Sequence, residues 1–385
     1  MSRRLVLVLC LAAASAAWFA GASTSAEPRR YDARAVAVAD GATGELLFAR
    51  NADRRVPMAS ITKLMTALVT LERARPADVV AVDARASTVG EASIFLRPGE
   101  RIRVRDLLAA ALVQSANDAA YALAAHVGHG DVRAFVRLMN RKARDLGLRN
   151  TRFTRPDGLD AANHYSTARD VLKLARVAMR RPLVRELVRK RSARIAGGRR
   201  LFTWNDLLTT FPGAIGVKTG HTENAGWCEV AAVRRDGVTI YAAVLGSPSR
   251  ARRNRDLVKL LRWGLDQYGR VPVVFAGRRY ATAAVPFSDR RIPLVAVGDA
   301  REVVRLRLPL VERVVAPAAV DLPLESGEEL GHVEILAGRR VVARRPLVAL
   351  EDLSRPSFRD RVEWYAGRTL DEAGGIVSDV LGAIG

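Results

Sequence analysis

Three short motifs carry side chains that could do covalent chemistry. Ser60 and Lys63 stand three residues apart in Ser-Ile-Thr-Lys, a spacing that brings a hydroxyl and an amine to one face at the start of a helix. A serine hydroxyl needs an adjacent base to attack an acyl carbon at neutral pH, and an uncharged lysine amine can supply that base. The pair alone is weak evidence, because the same spacing occurs by chance at the starts of surface helices.

Two further motifs follow along the chain. Ser115-Ala116-Asn117 comes after an apolar helix, and Lys218-Thr219-Gly220 lies in a segment with strand periodicity. Each motif is common on its own. Their order, together with their contexts of helix start, inter-helix turn and strand, indicates one nucleophilic site assembled from three distant segments.

The first half of the chain has the apolar spacing of helices. The second of these helices breaks near Ser115, and Asn117 is expected to cap the third. The predicted helices begin after Pro57 and then cover 104–112, 117–127, 132–146 and 168–179.

Other segments alternate with period two, which predicts antiparallel strands. A hairpin is predicted over 34–49, and a meander over 215–246 turns at Asp236-Gly237. A last helix is predicted over 256–268. Helices between a hairpin and a later meander indicate an α+β fold in which an antiparallel sheet is flanked by helices.

Four segments are expected along the chain. Short apolar stretches punctuated by proline and glycine after Phe275 predict a small all-β domain, and apolar residues from Phe358 to Ile384 predict an amphipathic helix. The expected segments are a signal peptide (1–26), a catalytic domain (27–270), a small β-rich domain (271–353) and a C-terminal amphipathic helix (354–385).

The chain of 385 residues is strongly basic. Its 62 basic and 40 acidic side chains give a net charge of +22, and all but six of the basic residues are arginines. The arginines are scattered among acidic residues, with no basic arm and no zinc-finger spacing. This pattern favours a solvated arginine-rich surface over nucleic-acid recognition, and attraction to a polyanion stays open.

The N-terminal segment has the organisation of a secretory signal. Arg3 and Arg4 precede an apolar run from Leu5 to Ala20, and small residues follow. The run is shorter than the roughly 20 residues that a membrane-spanning helix needs. We therefore expect the mature protein to work outside the cytoplasmic membrane, in the periplasm or cell wall.

Cysteine and histidine give no sign of a metal or redox site. Cys10 lies inside the apolar run, and Cys228 lies in an alternating strand pattern that predicts a buried thiol rather than a nucleophile. The five histidines have no metal-ligand spacing. No metal ion and no other cofactor is predicted.

The motifs and their surroundings resemble the serine D-alanyl-D-alanine carboxypeptidases, the low-molecular-mass penicillin-binding proteins. The resemblance spans 31–268 strongly and the β-rich stretch to Leu350 more loosely. It implies a β-lactamase/DD-peptidase-like fold and the removal of the terminal D-alanine from peptidoglycan stem peptides through an acyl-enzyme, with β-lactams as covalent inhibitors. One position departs, since Arg155 stands where asparagine is expected. The matching segments are 59–67, 115–120, 164–168 and 218–222.

The resemblance also implies roles for the catalytic residues. Ser60 would attack the carbonyl of the terminal D-Ala-D-Ala bond, with Lys63 as general base. Partial burial and the neighbouring cation Lys218 would both lower the pKa of Lys63. Ser115 would relay the proton to the leaving amine, and Asn117 would hydrogen-bond Lys63 or the substrate amide.

The same resemblance implies a binding set around the third motif. Backbone N–H groups of Ser60 and His221 would hold the oxyanion. Lys218, Thr219 and one arginine would hold the substrate's free carboxylate. Arg253 is chosen for its distance from the Lys-Thr-Gly strand. The competing arginines are Arg250, Arg252 and Arg255, and the full expected binding set is Lys218, Thr219, Gly220, His221 and Arg253.

The residues alone leave further functions open. A β-lactamase shares the three motifs but needs a further carboxylate to activate the deacylating water. The Glu-x-x-Leu-Asn string that would supply this carboxylate does not occur between the second and third motifs. Glu186 lies in that interval, but in the string Glu-Leu-Val-Arg. An endopeptidase and a non-catalytic secreted wall-binding protein are also compatible with the sequence. The C-terminal helix is expected to contact the outer face of the membrane, as family anchors do, unless it packs on the β-rich domain instead.

Overall fold

The computed structural model describes residues 10–13 and 31–366. The chain divides into two compact units, one within Ser25–Asp266 and the other from Gln267 onward together with the segment up to Thr24. Most of the predicted signal peptide and of the C-terminal tail lies outside the described residues. In the described part, no helix is long and apolar enough to cross a membrane.

The strands, numbered in chain order, begin with β1 (Cys10–Ala13), which belongs to the second unit. Strands of the first unit are β2 (Ala35–Asp40), β3 (Leu46–Arg50), β4 (Val79–Ala81), β5 (Arg101–Arg103), β6 (Ser192–Arg194), β7 (Arg200–Phe202), β8 (Ala214–Thr222), β9 (Gly226–Arg235) and β10 (Val238–Ser247). Its helices are α1 (Lys63–Arg73), α2 (Val104–Ala109), α3 (Asn117–Val127), α4 (Val132–Asp145), α5 (Ala168–Ala178), α6 (Pro182–Leu187), α7 (Leu207–Thr210) and α8 (Arg250–Leu265).

A five-stranded antiparallel sheet forms the frame of the first unit. Its order is β3-β2-β10-β9-β8, so the predicted hairpin lies at one edge and β8 lies at the other. Side chains alternate between the faces: Ala37 and Ala243 join the main helical core, whereas Val38 and Ile240 lie against Gly264 of α8. The predicted α+β architecture is confirmed.

Two helix starts differ from the expectation. The last helix begins at Arg250, six residues before the predicted start, because the Ser249 side chain accepts a hydrogen bond from the Arg252 N–H and caps it. Asn117 does not cap α3. Its side chain is used elsewhere, and the cap position is Ala116.

Two irregular turns carry the first two motifs. Ser60 lies in a 3-10 turn, Ala59–Thr62, directly before α1. Ser115 follows a π-helical turn, Ala110–Gln114, that continues α2, and its backbone is left-handed with φ of 68°. A non-glycine residue in this region is uncommon and costs free energy, which often marks a functional site.

The second unit contains two small sheets. The larger has six strands in the order β1-β15-β16-β17-β13-β12, and β11 pairs with β14. Since β11 starts at Tyr268, the division between the units falls slightly before the expected border at 270/271. The separate all-β domain is confirmed. Its other strands are β11 (Tyr268–Val274), β12 (Arg279–Ala284), β13 (Arg291–Ala296), β14 (Ala300–Arg305), β15 (Leu310–Val315), β16 (Glu329–Ala337) and β17 (Arg340–Ala349).

Candidate active site

The three motifs meet at one cavity of about 210 Å³ in the first unit. Most of the predicted site residues line it, and Lys63 and Lys218 lie buried directly beneath its wall. Two tryptophans and Glu91 also line the cavity, although no sequence motif marks them. The lining residues are Ser60, Glu91, Ala92, Ser115, Asn117, Trp204, Thr219, Gly220, His221, Trp227, Arg250 and Arg253.

Lys63 lies within hydrogen-bond distance of three oxygen atoms. Its Nζ is 2.6 Å from Ser60 Oγ, 2.6 Å from Asn117 Oδ1 and 2.7 Å from the carbonyl oxygen of Asp157. The amide and carbonyl oxygens of Asn117 and Asp157 can only accept, so they occupy two N–H groups of the amine. The third tetrahedral position of an uncharged amine is then a lone pair directed at Ser60 Oγ.

Burial sets the protonation of this amine. The Lys63 side chain is 0% exposed, so burial is complete rather than partial, and it lowers the pKa of Lys63 to about 8. The charges of Asp157 and Glu91 act in the opposite direction. Arg155 is a nearby cation that adds to the lowering, and Lys63 and Lys218 repel each other, since the charge of Lys63 lowers the pKa of Lys218. About a tenth of Lys63 is therefore uncharged at pH 7, a few hundredfold more than at the ordinary lysine pKa.

Ser115 is held by the second lysine. Lys218 Nζ donates to Ser115 Oγ at 2.9 Å and to the carbonyl oxygen of Thr219 at 2.8 Å. Burial, and then the charge of Lys63, hold the pKa of Lys218 well below its usual value. Two lysine–serine pairs thus face the same cavity, one from the start of α1 and one from β8.

Gly220 allows β8 to approach the nucleophile. A Cβ atom at this position would lie 2.9 Å from Ser60 N and 3.0 Å from Ala59 Cβ, which is closer than side chains tolerate. The edge strand therefore packs directly against the backbone of the 3-10 turn. The next residue, His221, is exposed, and its ring lies 4.2 Å from that of Trp227.

Arg253 and Arg250 are the two arginines of the segment that line the cavity. Arg253 is 1% exposed, with Nε 3.0 Å from Glu229 Oε2. Arg250 donates to both oxygens of Asp206, at 2.8 and 2.5 Å. The competing residues Arg252 and Arg255 are exposed and do not line the cavity.

The loop around Arg155, the position that departs from the family pattern, supports Lys63. Arg155 donates through Nε and Nη2 to the two oxygens of Asp157, each at 3.0 Å. Gly158 follows with φ of +88°, and a Cβ there would lie 2.1 Å from the Ala59 carbonyl oxygen. The sequence signal that could have identified this loop is the Pro-Asp-Gly string, because such a string marks a turn that needs glycine.

His164 fastens the same loop to the 3-10 turn that carries Ser60. The Thr154 N–H donates to Nδ1 at 3.0 Å, so Nε2 carries the proton and donates to Thr62 Oγ1 at 2.8 Å. Burial lowers the pKa of His164 to about 4, which keeps the ring neutral. Its role is to position the turn that carries Ser60.

Cys228 has the environment of an inert thiol. It is fully buried in β9, and burial raises its pKa to about 11, so the nucleophilic thiolate is disfavoured. Within residues 10–13 and 31–366, no group of three or more His, Cys, Asp or Glu side chains could hold a metal ion. Ser60 is the nucleophile that the geometry supports.

Comparisons with known proteins agree on one family. Residues 22–249 match the family model described as D-alanyl-D-alanine carboxypeptidase. The chain is 30% identical to the D-alanyl-D-alanine carboxypeptidase DacC of Escherichia coli, over 91% of this chain and 93% of that protein. It is 28% identical to DacF of Bacillus subtilis, over 85% and 87% of the two chains.

Solved structures agree with the sequence relatives. Penicillin binding protein 5 of Haemophilus influenzae superposes with a TM-score of 0.62 at 27% identity, covering 86% of this chain and 100% of that one. The D-alanyl-D-alanine carboxypeptidase DacD of Francisella tularensis gives a TM-score of 0.61 at 25% identity, covering 89% and 99%. Both matches extend beyond the first unit.

The charge of Arg155 gives a pH-dependent prediction. The rate of Ser60 acylation by a fluorescent penicillin should rise with pH through about 8, as Lys63 loses its proton. Arg155→Asn removes a cation that favours this loss, so the midpoint should move to higher pH and the rate at pH 7 should fall by about threefold or more. Stopped-flow labelling across the pH range measures both midpoints.

The matched control is Arg169→Asn, which breaks an exposed Arg169–Asp53 pair outside the cavity. This variant should keep the wild-type midpoint. A folded Arg155→Asn protein with an unchanged or lower midpoint would contradict the assigned effect of Arg155 on Lys63.

Proposed function

Since the chain belongs to the D-alanyl-D-alanine carboxypeptidase family and is a serine-type hydrolase, we propose that Ser60 attacks the carbonyl of the terminal D-Ala-D-Ala bond of a peptidoglycan stem peptide. The observation that carries this proposal is the 2.6 Å contact between Lys63 Nζ and Ser60 Oγ. Lys63 accepts the serine proton as the new C–O bond forms. The two fixed acceptors of Lys63 support this role, because they leave its lone pair for Ser60.

The developing oxyanion lies between two backbone N–H groups, those of Ser60 and His221. The close passage of Gly220 beside Ser60 N supports this arrangement. Loss of one such donor typically slows an enzyme by about 10²–10³.

Ser115 delivers a proton to the leaving amine of D-alanine. Its hydroxyl accepts a hydrogen bond from Lys218 and lines the cavity beside Ser60, so it relays to the leaving nitrogen the proton that Lys63 took from Ser60, which leaves Lys63 neutral again for the attack of water. Asn117 holds Lys63 through its Oδ1 and anchors its own Nδ2 on the carbonyl oxygen of Gly90 at 2.9 Å. Its first role is to fix the orientation of the base.

The free carboxylate of the substrate binds to Lys218, Thr219 and Arg253. Thr219 and Arg253 line the cavity and Lys218 is buried behind it; the guanidinium of Arg253 supplies the positive charge that a carboxylate needs, and Lys218 adds to this charge when it is protonated. After D-alanine leaves, water hydrolyses the acyl-enzyme. Penicillins carry a similarly placed carboxylate and acylate the same serine.

A β-lactamase activity receives no support from Glu186. This residue pairs on the surface with Arg105 and Lys190 and does not line the cavity. Glu91 does line it, so the lifetime of the penicillin adduct is the measurement that distinguishes the two activities.

Ser60→Ala tests the proposed function. The purified wild-type protein should release D-alanine from a D-Ala-D-Ala-ended peptide and become covalently labelled by fluorescent penicillin, and the variant should do neither. Ser87→Ala is the matched control, because the Ser87 hydroxyl is exposed and bonds the Ala84 carbonyl oxygen. Labelling of Ser60→Ala would assign the nucleophile elsewhere, and wild-type label that disappears within seconds would favour a β-lactamase.

We also propose that the protein is exported and that its C-terminal helix contacts the outer face of the cytoplasmic membrane. Residues 358–366 are helical, and Phe358 and Val362 are 76% and 48% exposed, one turn apart. The same helix also contacts the second unit, where the Phe287 ring lies 5.8 Å from that of Trp364. The exposed side chains of Phe358 and Val362 support a membrane contact in addition to the packing of Trp364 on Phe287.

Deletion of residues 355–385 tests the membrane proposal. The wild-type protein should co-sediment with liposomes, and the truncated protein should remain in solution while still hydrolysing the soluble peptide. Equal co-sedimentation of the two proteins would contradict the proposed contact.

A further inference from the structure

Glu229 is a buried carboxylate that the proposed mechanism does not use. It lies in β9 opposite Thr219 of β8 and is 0% exposed. Neither of its oxygens has a hydrogen-bond partner among the described residues. Arg253 Nε is 3.0 Å from Oε2, in ion-pair contact but without hydrogen-bond alignment. An incompletely satisfied buried carboxylate is costly, so its position beside the binding arginine needs an explanation.

Arg253 connects Glu229 to the cavity. The arginine lines the cavity, whereas Glu229 does not and lies behind it. Nε and Nη2 of Arg253 donate to Asn254 Oδ1 at 3.0 and 2.7 Å. Nη2 is also 3.5 Å from Asp206 Oδ2. The guanidinium is therefore held by Asn254, with Glu229 and Asp206 also in contact, and its place in the cavity lining presents it to a ligand.

Charged groups from three segments face Glu229. Arg253 and Arg250 come from α8, Lys218 comes from β8, and Asp206 precedes α7. The pKa of Glu229 is raised to about 7, chiefly by burial; the charge of Asp206 contributes to the increase, and Arg253, Lys218 and Arg250 oppose it. The Asp206 carboxylate is bound by Arg250 and lies 3.5 Å from Arg253 Nη2. Glu229 lies 3.0 Å from Arg253 Nε and is completely buried, so it is the nearer and more deeply buried counter-ion of Arg253.

Building on the proposed binding of the substrate carboxylate by Arg253, we propose that Glu229 is the resident counter-ion of Arg253 and takes up a proton when that carboxylate binds. Two carboxylates that share one buried guanidinium cannot both stay ionised at low cost. The substrate carboxylate also has Lys218 and Thr219, whereas Glu229 has no hydrogen bond, so Glu229 is the group that becomes neutral. The proton comes from solvent.

Release of the product reverses this exchange. D-alanine carries the substrate carboxylate away, and Glu229 returns its proton to solvent and again neutralises Arg253. Glu229 touches neither the substrate nor the reacting atoms. It is a positioning residue that acts through Arg253.

The exchange predicts a pH-dependent KM. Below pH 7 Glu229 is already neutral, and the substrate binds without proton uptake. Above about pH 7, each increase of one pH unit should raise KM about tenfold. The rise should end at the pH that equals the pKa of Glu229 in the enzyme–substrate complex. The rise of kcat with pH belongs to Lys63 and should be independent of Glu229.

Glu229→Gln keeps the shape of the neutral side chain and removes its titration. With a D-Ala-D-Ala-ended peptide, the KM of this variant should be independent of pH between about 6 and 8 and about tenfold below the wild-type KM at pH 8. Glu334→Gln is the matched control, because Glu334 is a buried partner of Arg313 in the second unit. It should keep the wild-type KM profile.

Lys218 must be separated from Glu229, since the charge of Glu229 raises the pKa of Lys218. The same two profiles are therefore compared in a Lys218→Arg background, where position 218 stays charged at every pH. The Glu229→Gln change should still remove the pH dependence of KM.

Infrared difference spectroscopy observes the proton directly. Ser60→Ala binds the peptide without reacting, so addition of the peptide at pH 8 should produce the carbonyl band of a protonated carboxyl group. The band should be missing from Ser60→Ala/Glu229→Gln. The presence or absence of the band in Ser60→Ala tests proton uptake on binding even if the double variant does not fold.

A wild-type KM that does not vary with pH, a Glu229→Gln profile identical to the wild type, or the absence of the carboxyl band on binding would each overturn this inference. These results are distinguishable from a failure of the proposed function. Absence of D-alanine release by the wild-type protein contradicts the proposed function, whereas D-alanine release with a pH-independent KM contradicts only the exchange at Glu229.

Discussion

The rest of the structure depends on one buried amine. Lys63 donates to two oxygens that cannot move, one on the Asn117 side chain and one in the backbone at Asp157, and its remaining position is directed at Ser60. Complete burial makes the charged form of this amine expensive. The same burial that costs folding stability therefore creates the uncharged base that a serine nucleophile needs.

The fold meets this constraint by joining segments that are distant in sequence. The α1 helix supplies the base, the π-helical turn after α2 brings Asn117 and Ser115, and the Asp157 loop closes the remaining side. Gly220 and Gly158 let two backbones approach the turn that carries Ser60. His164, neutral and hydrogen-bonded on both ring nitrogens, fixes the loop to the 3-10 turn that carries Ser60. Each of these residues controls the position of Lys63 or Ser60 rather than the chemistry itself.

Sequence periodicity predicted the sheet, most helices and the three motifs, because these depend on local residue spacing. Periodicity could not predict that Asn117 does not cap α3, because only the folded chain shows that the Asn117 side chain binds Lys63 instead. Arg253 was assigned by distance along the chain, but its burial follows from the earlier start of α8. Arg155 and Glu229 have no sequence signal for their effects, which arise from charges that meet only in three dimensions.

The protonation state of Lys63 can be measured directly. The chain has only six lysines, so the side-chain signals of protein labelled with ¹³C at lysine Cε can be assigned by substitution and followed by NMR through a pH titration. The account predicts one resonance, lost in a Lys63 variant, that titrates near pH 8. Titration of Lys63 at the ordinary lysine value of about 10.4 would contradict its role as the base that activates Ser60.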